Sequence, residues 1–381
     1  MKVAVVIPRY SPIGGAENFA RQLCEELAKK KGFEIHVLAN TWEAGWGPVQ
    51  FHKIPAITFP RFLRPVSFAS LVQHIVKKED YTIVHSHERI FSMDVFTVHG
   101  IPHKTWIREA RRKPLSLFDK TTAWVEARGL KGPKIPMVLP VSGMVKEEIL
   151  RLYDIPKSKI QVIHPGISPD LFSRPDQDRW RVEVRRRHGL SPEDLVVLFV
   201  GMNFEIKRLD LVLEGVASLA SGNKRGPSLK VLVVGRGNTK KYEALSERLG
   251  IRNRCVFAGV TREVEKYYAA SDVFAMPSRF DTFGMAVLEA MAAGLPVIIS
   301  RQVGARDLVT DGVSGFILNG DPSPSDFARA LAVFQNQETR LKVGEMGRKT
   351  ALRQTWERVA QQVAEVYLAL NRAEGVNGKS F

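Results

Sequence analysis

A strand, a loop and a helix follow one another between residues 272 and 293, and this unit constrains the fold more than any other part of the chain. The apolar run Asp272–Met276 ends at Pro277, which is typical of a strand leaving a parallel sheet at its carboxyl edge. The run Phe283–Ala293 predicts a helix that ends at Gly294. The unit therefore predicts an α/β domain in which helices cover a parallel sheet.

Two acidic residues belong to this unit. Asp281 lies in the loop at the entrance to the predicted helix, and Glu289 lies eight positions later on its apolar stripe. The amides of the first helical turn have no partner within the helix and carry partial positive charge. Because carboxylates accept hydrogen bonds from hydroxyl groups and free amides donate to anionic oxygens, the pattern indicates a polyhydroxylated ligand that carries phosphate. The alternative is a capped core helix with one buried acid.

Strands and helices alternate in two series along the chain. The first series begins with the predicted strand Lys2–Pro8 and the second with Leu195–Val200, and a loop containing glycine follows each of these strands. Two such series predict two Rossmann-like, doubly wound α/β domains that face one cleft.

The loop after the first strand contains Gly14 and Gly15, immediately before a predicted helix. Glycines at this place let the backbone approach a ligand closely at a helix N-terminus, where amides bind phosphate. No third glycine lies at the offset that the dinucleotide-binding fingerprint requires, so that motif is excluded. A tight turn without a ligand is the alternative.

His99 ends the predicted strand Met93–Val98. A single histidine at a strand end is usually structural, but this one lies at the sheet edge where open α/β sheets bind ligands. It is therefore the candidate functional histidine of the first half. We interpret the nearby His85 and His87 as packing residues.

Four motifs carry a resemblance to a known family: the acids Asp281 and Glu289, the run AxxAGLPV from Ala290 to Val297, GGAEN from Gly14, and His99-Gly100. Together they resemble the retaining glycosyltransferases of group 1 (family 4), which have the GT-B fold and an E-x7-E signature. The resemblance implies that Asp281 and the amides of Phe283 and Gly284 hold the donor sugar, and that Glu289 holds the nucleotide ribose. It also implies that His99 faces the acceptor and the C6 hydroxyl of the donor.

The diphosphate of the donor needs cations and amides. The resemblance matches Lys207, at the start of a predicted helix, to the phosphate cation, and we expect Arg208 and the amides of Gly14 and Gly15 to assist it. We predict no metal ion and no other cofactor, because no Asp-x-Asp motif follows a strand that faces the cleft.

Two positions depart from the family pattern. Asp281 stands where the family has glutamate, which moves the carboxylate by about one ångström. Met202, followed by Asn203, replaces the usual arginine and leaves Lys207 as the matched cation. A single lysine can hold a diphosphate as a point charge when helix amides help it.

Within the family, the chain is most similar to the lipopolysaccharide core glucosyltransferases. The similarity lies in Thr41-Trp42-Glu43, HPGISPDLF from His164, KYEALSERLGI from Lys241 and a basic aromatic segment described below. It implies transfer of glucose from UDP-glucose to a lipid-linked cell-envelope glycan such as the lipopolysaccharide core. The alternatives are a different donor such as GDP-mannose, or a sugar-nucleotide epimerase of the same shape, for which we find no further acid/base set.

The predicted domains follow from the resemblance and from composition. Residues 168–191 are rich in Pro, Asp and Arg with little apolar pattern, so we place the domain crossing there. The acceptor-binding domain is predicted at residues 1–175, with a C-terminal helix at about residues 356–381 packing back on it. The domain that binds the nucleotide sugar is predicted at residues 176–355.

A formal net charge of +16 at pH 7 indicates an anionic partner, and nucleic acid, a membrane surface and a phosphorylated substrate all fit this charge. The basic aromatic segment Pro102–Lys134 has nine Lys and Arg against three acids, interleaved with aromatic and aliphatic residues. This mixture favours an anionic membrane surface, whereas a nucleic-acid-binding protein would have cations spread over one face. A solvated pair of helices that packs by one face is the alternative. Pro114 divides the segment into two short helices.

The apolar runs and the cysteines of the sequence indicate where the protein is located. No apolar run approaches the roughly 18 residues that a membrane span needs, and the apolar N-terminus is too short for a signal peptide. Cys24 and Cys255 are too few and too far apart for a disulfide framework or a cysteine zinc site. We therefore expect a cytoplasmic monomer, peripheral on the inner face of the cell membrane, that does not bind nucleic acid.

Overall fold

The computed structural model describes residues 1–43, 47–55, 57, 59–110, 114–172, 176–222 and 227–377. The chain divides into two compact units. Unit 1 comprises Met1–Gly166 and Trp356–Phe381, and unit 2 comprises Ile167–Thr355. The division after Gly166 comes earlier in the chain than the boundary at residue 175 that the sequence predicts.

The secondary structure alternates between strands and helices in both units. The strands are β1 (Lys2–Val6), β2 (Arg9–Tyr10), β3 (Glu34–Ala39), β4 (Thr41–Trp42), β5 (Gln50–Lys53), β6 (Ile83–Ser86), β7 (Val95–Val98), β8 (Met137–Pro140), β9 (Leu195–Met202), β10 (Leu229–Arg236), β11 (Cys255–Gly259), β12 (Val273–Met276), β13 (Val297–Ser300) and β14 (Gly315–Leu318).

The α-helices are α1 (Gly15–Ala28), α2 (Leu63–Lys78), α3 (His103–Thr105), α4 (Leu117–Leu130), α5 (Gly143–Leu152), α6 (Gln177–Arg187), α7 (Leu209–Gly222), α8 (Thr239–Arg248), α9 (Val264–Ala269), α10 (Met285–Ala292), α11 (Pro324–Val333), α12 (Gln337–Ala351) and α13 (Trp356–Asn377). A π-helical turn, Trp106–Ala110, continues α3. Short 3-10 helices lie at Lys157–Lys159, Pro169–Leu171, Arg252–Arg254 and Gly304–Leu308.

Each unit is built around a six-stranded parallel sheet. The strand order is β5-β3-β1-β6-β7-β8 in unit 1 and β11-β10-β9-β12-β13-β14 in unit 2, while β2 pairs with β4 separately. The chain order reverses between β1 and β6 in the first sheet and between β9 and β12 in the second. Doubly wound domains bind ligands outside the carboxyl ends of the strands at such a switch point.

The central strands are apolar along their length because helices cover both faces of each sheet. Val3 to Val6 of β1 and Val196 to Phe199 of β9 are completely buried. In unit 1 the C-terminal helix α13 packs on α1, where the rings of Trp356 and Phe19 meet edge to face at 5.3 Å between centroids. Cys24 and Cys255 are buried free thiols, one in the core of each unit.

Two helices begin later than the sequence predicts. Helix α10 begins at Met285 and not at Phe283, because Gly284 adopts a left-handed conformation with φ 89° and forms the N-cap. Helix α7 begins at Leu209, because Arg208 has φ 60°. In both cases the first two residues of the predicted helix belong instead to the loop that leaves the sheet.

The basic aromatic segment forms helical structure on both sides of Pro114, as predicted. Ser116 caps α4 and accepts a hydrogen bond from the amide of Asp119, whose carboxylate bonds back to Ser116. Arg111, Arg112 and Lys113, which carry part of the predicted charge, lie outside the described residues. Within the described part of the chain, no helix combines the length and the apolar character that crossing a membrane requires.

Candidate functional site

The switch point of the unit 2 sheet brings together Lys207, from the loop after β9, and Asp281, from the loop after β12. Their side chains form an ion pair between Nζ and Oδ2, with only 18% and 15% of the two side chains exposed. A Cβ atom on Gly201 would lie 3.3 Å from Cγ of Lys207, so the lysine stem lies along the end of β9. The amide of Phe283 donates to Oδ1 of Asp281 at 3.3 Å. The carboxylate is therefore held from two directions.

Gly284 lies at the entrance to α10, in a backbone conformation that favours glycine. Its φ is 89°, and a Cβ atom there would lie 2.6 Å from Cε of Met276 and 3.0 Å from Cγ1 of Val303. The left-handed backbone favours glycine whatever space surrounds it, although the flexible end of Met276 could move away from a Cβ atom. This glycine turns the loop carrying Asp281 into the helix carrying Glu289.

Glu289 lies within α10 and receives a hydrogen bond from a residue that the sequence analysis did not identify. The hydroxyl of Tyr268, on α9, lies 2.8 Å from Oε2 of Glu289 and 3.3 Å from the carbonyl oxygen of Ala286. Burial raises the pKa of the Glu289 carboxyl, and the hydrogen bond from Tyr268 partly offsets this effect. The contact joins two separate helices, so no local sequence signal predicts it.

Arg208, predicted to bind the diphosphate, is buried between two carboxylates. Its Nε donates to Oδ2 of Asp210 at 3.0 Å, and its Nη1 donates to Oδ1 of Asp321 at 2.9 Å. Met202, which replaces the usual arginine, is half exposed at the end of β9. Lys207 is thus the predicted phosphate cation that lies closest to the predicted sugar ligand Asp281.

In unit 1, Gly14 forms the N-cap of α1 with φ 109°. The carboxyl group of Glu17 folds over it, since a Cβ atom on Gly14 would lie 2.8 Å from Cδ of Glu17. A carboxylate at a helix N-terminus is stabilised by the same amides that would bind phosphate. Among the described residues, no other side chain or loop lies within 4 Å of a Cβ atom built on Gly15, so that side of the loop is open to them.

His99 belongs to a stack of three histidines. The ring of His87 lies between those of His85 and His99, with centroid distances of 4.5 Å and 5.2 Å. Nδ1 of His87 and Nε2 of His99 are 2.9 Å apart and share one hydrogen, so the tautomer of one ring sets that of the other. Burial lowers the pKa of His99 to about 3, so this ring is neutral at pH 7.

The sequence analysis interpreted His85 and His87 as packing residues, but in the structure His87 does more than pack. Its Nδ1 contacts His99 directly, and its buried Nε2 has no hydrogen-bond partner within the described residues. His85 is a packing residue with both ring nitrogens satisfied, one by Tyr367 and one by Thr97. The motif His-Ser-His at the end of β6, beside the strand that ends at His99, is the signal that could have identified the pair.

Two family models match the chain and together extend over most of it. The model for glycosyl transferases group 1 matches residues 181–350, and the model for glycosyltransferase family 4 matches residues 13–171. The chain belongs to the group 1 glycosyltransferases. This assignment favours glycosyl transfer over the epimerase alternative.

Relatives of this glycosyltransferase include enzymes with different named substrates. Lipopolysaccharide glucosyltransferase WaaG of Escherichia coli is 24% identical over 323 residues, which cover 84% of this chain and 85% of that protein. D-inositol 3-phosphate glycosyltransferase of Corynebacterium glutamicum is 31% identical over 244 residues, covering 61% of this chain and 57% of that protein.

Solved structures of other glycosyltransferases have the same fold. The crystal structure of WaaG superposes with a TM-score of 0.80 at 22% identity, covering 96% of this chain and 99% of that one. The structure of HepE from Anabaena in complex with UDP-glucose gives a TM-score of 0.72 at 18% identity, covering 97% of this chain and 100% of that one. The predicted GT-B fold, with two Rossmann-like parallel-sheet domains, is confirmed.

In unit 2 the structure brings several predicted site residues of this glycosyltransferase together. Lys207, Asp281, Phe283 and Gly284 are contiguous in unit 2, with Glu289 further along α10. Among the described residues, no group of three or more His, Cys, Asp or Glu side chains is arranged to hold a metal ion.

Proposed function

We propose that this glycosyltransferase is a retaining, metal-independent hexosyltransferase that transfers glucose from UDP-glucose to a lipid-linked glycan of the cell envelope, such as the lipopolysaccharide core. The observation that carries the proposal is the position of Asp281 beside Lys207 at the switch point of unit 2, with Glu289 on the following helix. Carboxylates suit sugar and ribose hydroxyls, and a lysine suits the diphosphate.

Transfer breaks the bond between the anomeric carbon and the diphosphate oxygen and forms a bond from the acceptor oxygen to the same carbon. Negative charge develops on the leaving diphosphate, and positive charge develops on the sugar. A preorganised cation at the leaving group stabilises this transition state, which is the role we propose for Lys207. Donor binding must loosen the ion pair with Asp281, which frees the carboxylate to accept hydrogen bonds from the sugar.

The proposed sugar and nucleotide are supported by the names of two similar proteins. WaaG is named as a glucosyltransferase, and HepE was solved with UDP-glucose. The inositol phosphate enzyme of Corynebacterium makes D-inositol 3-phosphate an acceptor worth testing beside a truncated lipopolysaccharide core.

A donor screen tests the proposal directly. We expect release of UDP from UDP-glucose to exceed nucleotide release from UDP-galactose, GDP-mannose and GDP-glucose, and to increase when a truncated core acceptor is added. NMR of the product should show the same anomeric configuration as the donor. Faster turnover of GDP-mannose, or an inverted product, would refute the proposed donor or the proposed stereochemistry.

Activity is expected to be unchanged in the presence of EDTA. No acidic ligand set of the kind that bridges a metal to a diphosphate occurs among the described residues, and Lys207 supplies positive charge in its place. Turnover of UDP-glucose is to be measured with EDTA, and then with added magnesium or manganese. A strict requirement for either ion would contradict metal independence.

We further propose that unit 1 docks on an anionic membrane, which would place the enzyme in the cytoplasm on the inner face of the cell membrane. Helix α4 presents Leu117 and Trp124, two turns apart, with 63% and 49% of their surfaces exposed. Arg128 lies one turn beyond and 5.8 Å from the ring of Trp124. Each cation near an anionic leaflet contributes about 1 kcal/mol before screening by salt.

Sedimentation with vesicles of increasing anionic lipid content measures this docking. We expect binding to rise with anionic content and to be strongly reduced when Arg108, Arg111, Arg112 and Lys113 are all changed to serine. A matched control changes four other exposed or partly exposed unit 1 lysines, Lys29, Lys31, Lys77 and Lys78, to serine. If both variants lose binding equally, the binding depends on net charge and not on this segment. Binding that does not change with the anionic lipid content would refute membrane docking.

A further inference from the structure

A pocket of ≈ 400 Å³ lies at the carboxyl edge of the unit 1 sheet. Its walls come from the loops that follow three neighbouring strands, β1, β3 and β5, and from the first turn of α2. Three of its lining residues are cations, Arg9, Lys53 and Arg64, and no acidic residue lines it within the described chain. The volume lies within the usual range for small-molecule sites.

The surrounding structure fixes the walls of this pocket and leaves the three cationic groups accessible. Lys53 ends β5, with its Nζ 5.8 Å from the centre of the Trp42 ring. Arg9 lies 3.9 Å from a carboxylate oxygen of Glu43, at the limit of an ion pair, with 56% of its side chain exposed. The side-chain amide of Asn40 donates to the carbonyl of Ile54 and joins the ends of β3 and β5.

Three cations around one cavity repel one another, and an anion bound between them offsets this electrostatic repulsion. Arginine binds phosphate or carboxylate through a planar pair of donors, and lysine adds a mobile point charge. Arg64 also lines a second pocket of ≈ 270 Å³, whose walls combine Phe68 and Phe118 with the charged residues Glu88 and Arg89. A ligand that spans both pockets would have an anionic group in the first and its hydroxyl-bearing body in the second.

We propose that the pocket of Arg9, Lys53 and Arg64 binds a phosphate or carboxylate group on the sugar acceptor. This inference rests on the proposed function, because it assumes that unit 1 receives a glycan. It adds that the acceptor is an anionic glycan, recognised through its charge in addition to its hydroxyl groups. The residues concerned lie apart from the donor site of unit 2 in the sequence and belong to a different unit.

The test uses the full-length protein saturated with UDP, so that the predicted diphosphate site is occupied. Glucose 6-phosphate, glucuronate and glucose are titrated separately and their affinities are measured by ligand-observed NMR. We expect at least one anionic sugar to bind about tenfold more tightly than glucose. Whichever of glucose 6-phosphate and glucuronate binds more tightly then shows whether the pocket prefers a phosphate or a carboxylate group.

The Lys53→Gln Arg64→Gln double variant is expected to lose this advantage and to bind all three sugars about equally. Lys77→Gln, on the same helix as Arg64 but in its last turn, is the matched control and should retain the advantage. Equal binding of the three sugars by the natural protein, or an advantage that survives the double substitution, would overturn the inference. If the protein does not bind UDP, only the proposed donor is contradicted, because the three sugars can still be compared in the absence of UDP.

Discussion

Replacing Lys207 by alanine is expected to lower kcat with UDP-glucose by about tenfold or more, because a lost charge-assisted contact costs about 1.5–3 kcal/mol. The loss should occur mainly in kcat, since charge accumulates on the diphosphate as the sugar departs. The side chain is held between the end of β9 and Asp281, so the charge is already in place before the donor binds. Steady-state kinetics at saturating donor measures the effect.

The alanine variant leaves Asp281 without its ion-pair partner, so its fold must be checked by thermal unfolding. Lys240→Ala, an exposed lysine on α8, is the matched control and should keep the natural kcat. Asp281→Asn keeps the volume of the loop and should mainly alter discrimination among donor sugars. Natural turnover in folded Lys207→Ala would remove this lysine from the leaving-group role.

Replacing Glu289 by glutamine is expected to weaken UDP binding by about 10- to 100-fold, because a neutral amide accepts ribose hydroxyls less strongly than a carboxylate. The hydrogen bond from Tyr268 can persist to the amide oxygen, so the side chain keeps its position. Calorimetric titration with UDP measures the change. Glu247→Gln, which alters an exposed acid on α8, should bind UDP normally.

The same substitution is expected to stabilise the fold at neutral pH. Burial raises the pKa of Glu289 above the ordinary value of 4.5, so folding favours the protonated form. That stabilising contribution is present below pH 4.5 and is lost as the pH rises through the raised pKa, because an ionised group must then be buried. Glutamine avoids this cost, so the melting temperature of Glu289→Gln should exceed that of the natural protein at pH 7 but not below pH 4.5.

UDP affinity gives an independent check on the same group. In the natural protein, affinity should fall as the pH is lowered through the raised pKa of Glu289, whereas the glutamine variant should show no such dependence. Tyr268→Phe removes the hydrogen bond that favours the carboxylate, so the fall should move to higher pH. If Glu289→Gln binds UDP as tightly as the natural protein, the ribose assignment is wrong.

The sequence by itself determined the fold class and most of the elements. Apolar runs such as Val3–Val6 can only be buried between two layers of helices, and the glycine loops that follow the central strands mark the ligand edge. Because a parallel strand and its crossover helix form a local unit, the pattern around Asp281 was sufficient to predict both its place and the family. Two helix starts were predicted too early because a left-handed residue, Arg208 or Gly284, extends the loop by two residues.

Only the tertiary structure decided which side chains meet. The ion pair of Lys207 with Asp281 joins residues 74 positions apart, and the contact of Tyr268 with Glu289 joins two helices. The pairing of His87 with His99 depends on two strands being adjacent in the sheet. Periodicity and turn signals report on neighbours a few residues apart, whereas such contacts depend on strand order and on the angle at which each loop leaves the sheet. The sequence therefore suggested candidate site residues, but it did not predict their partners, on which the charge and protonation of the site depend.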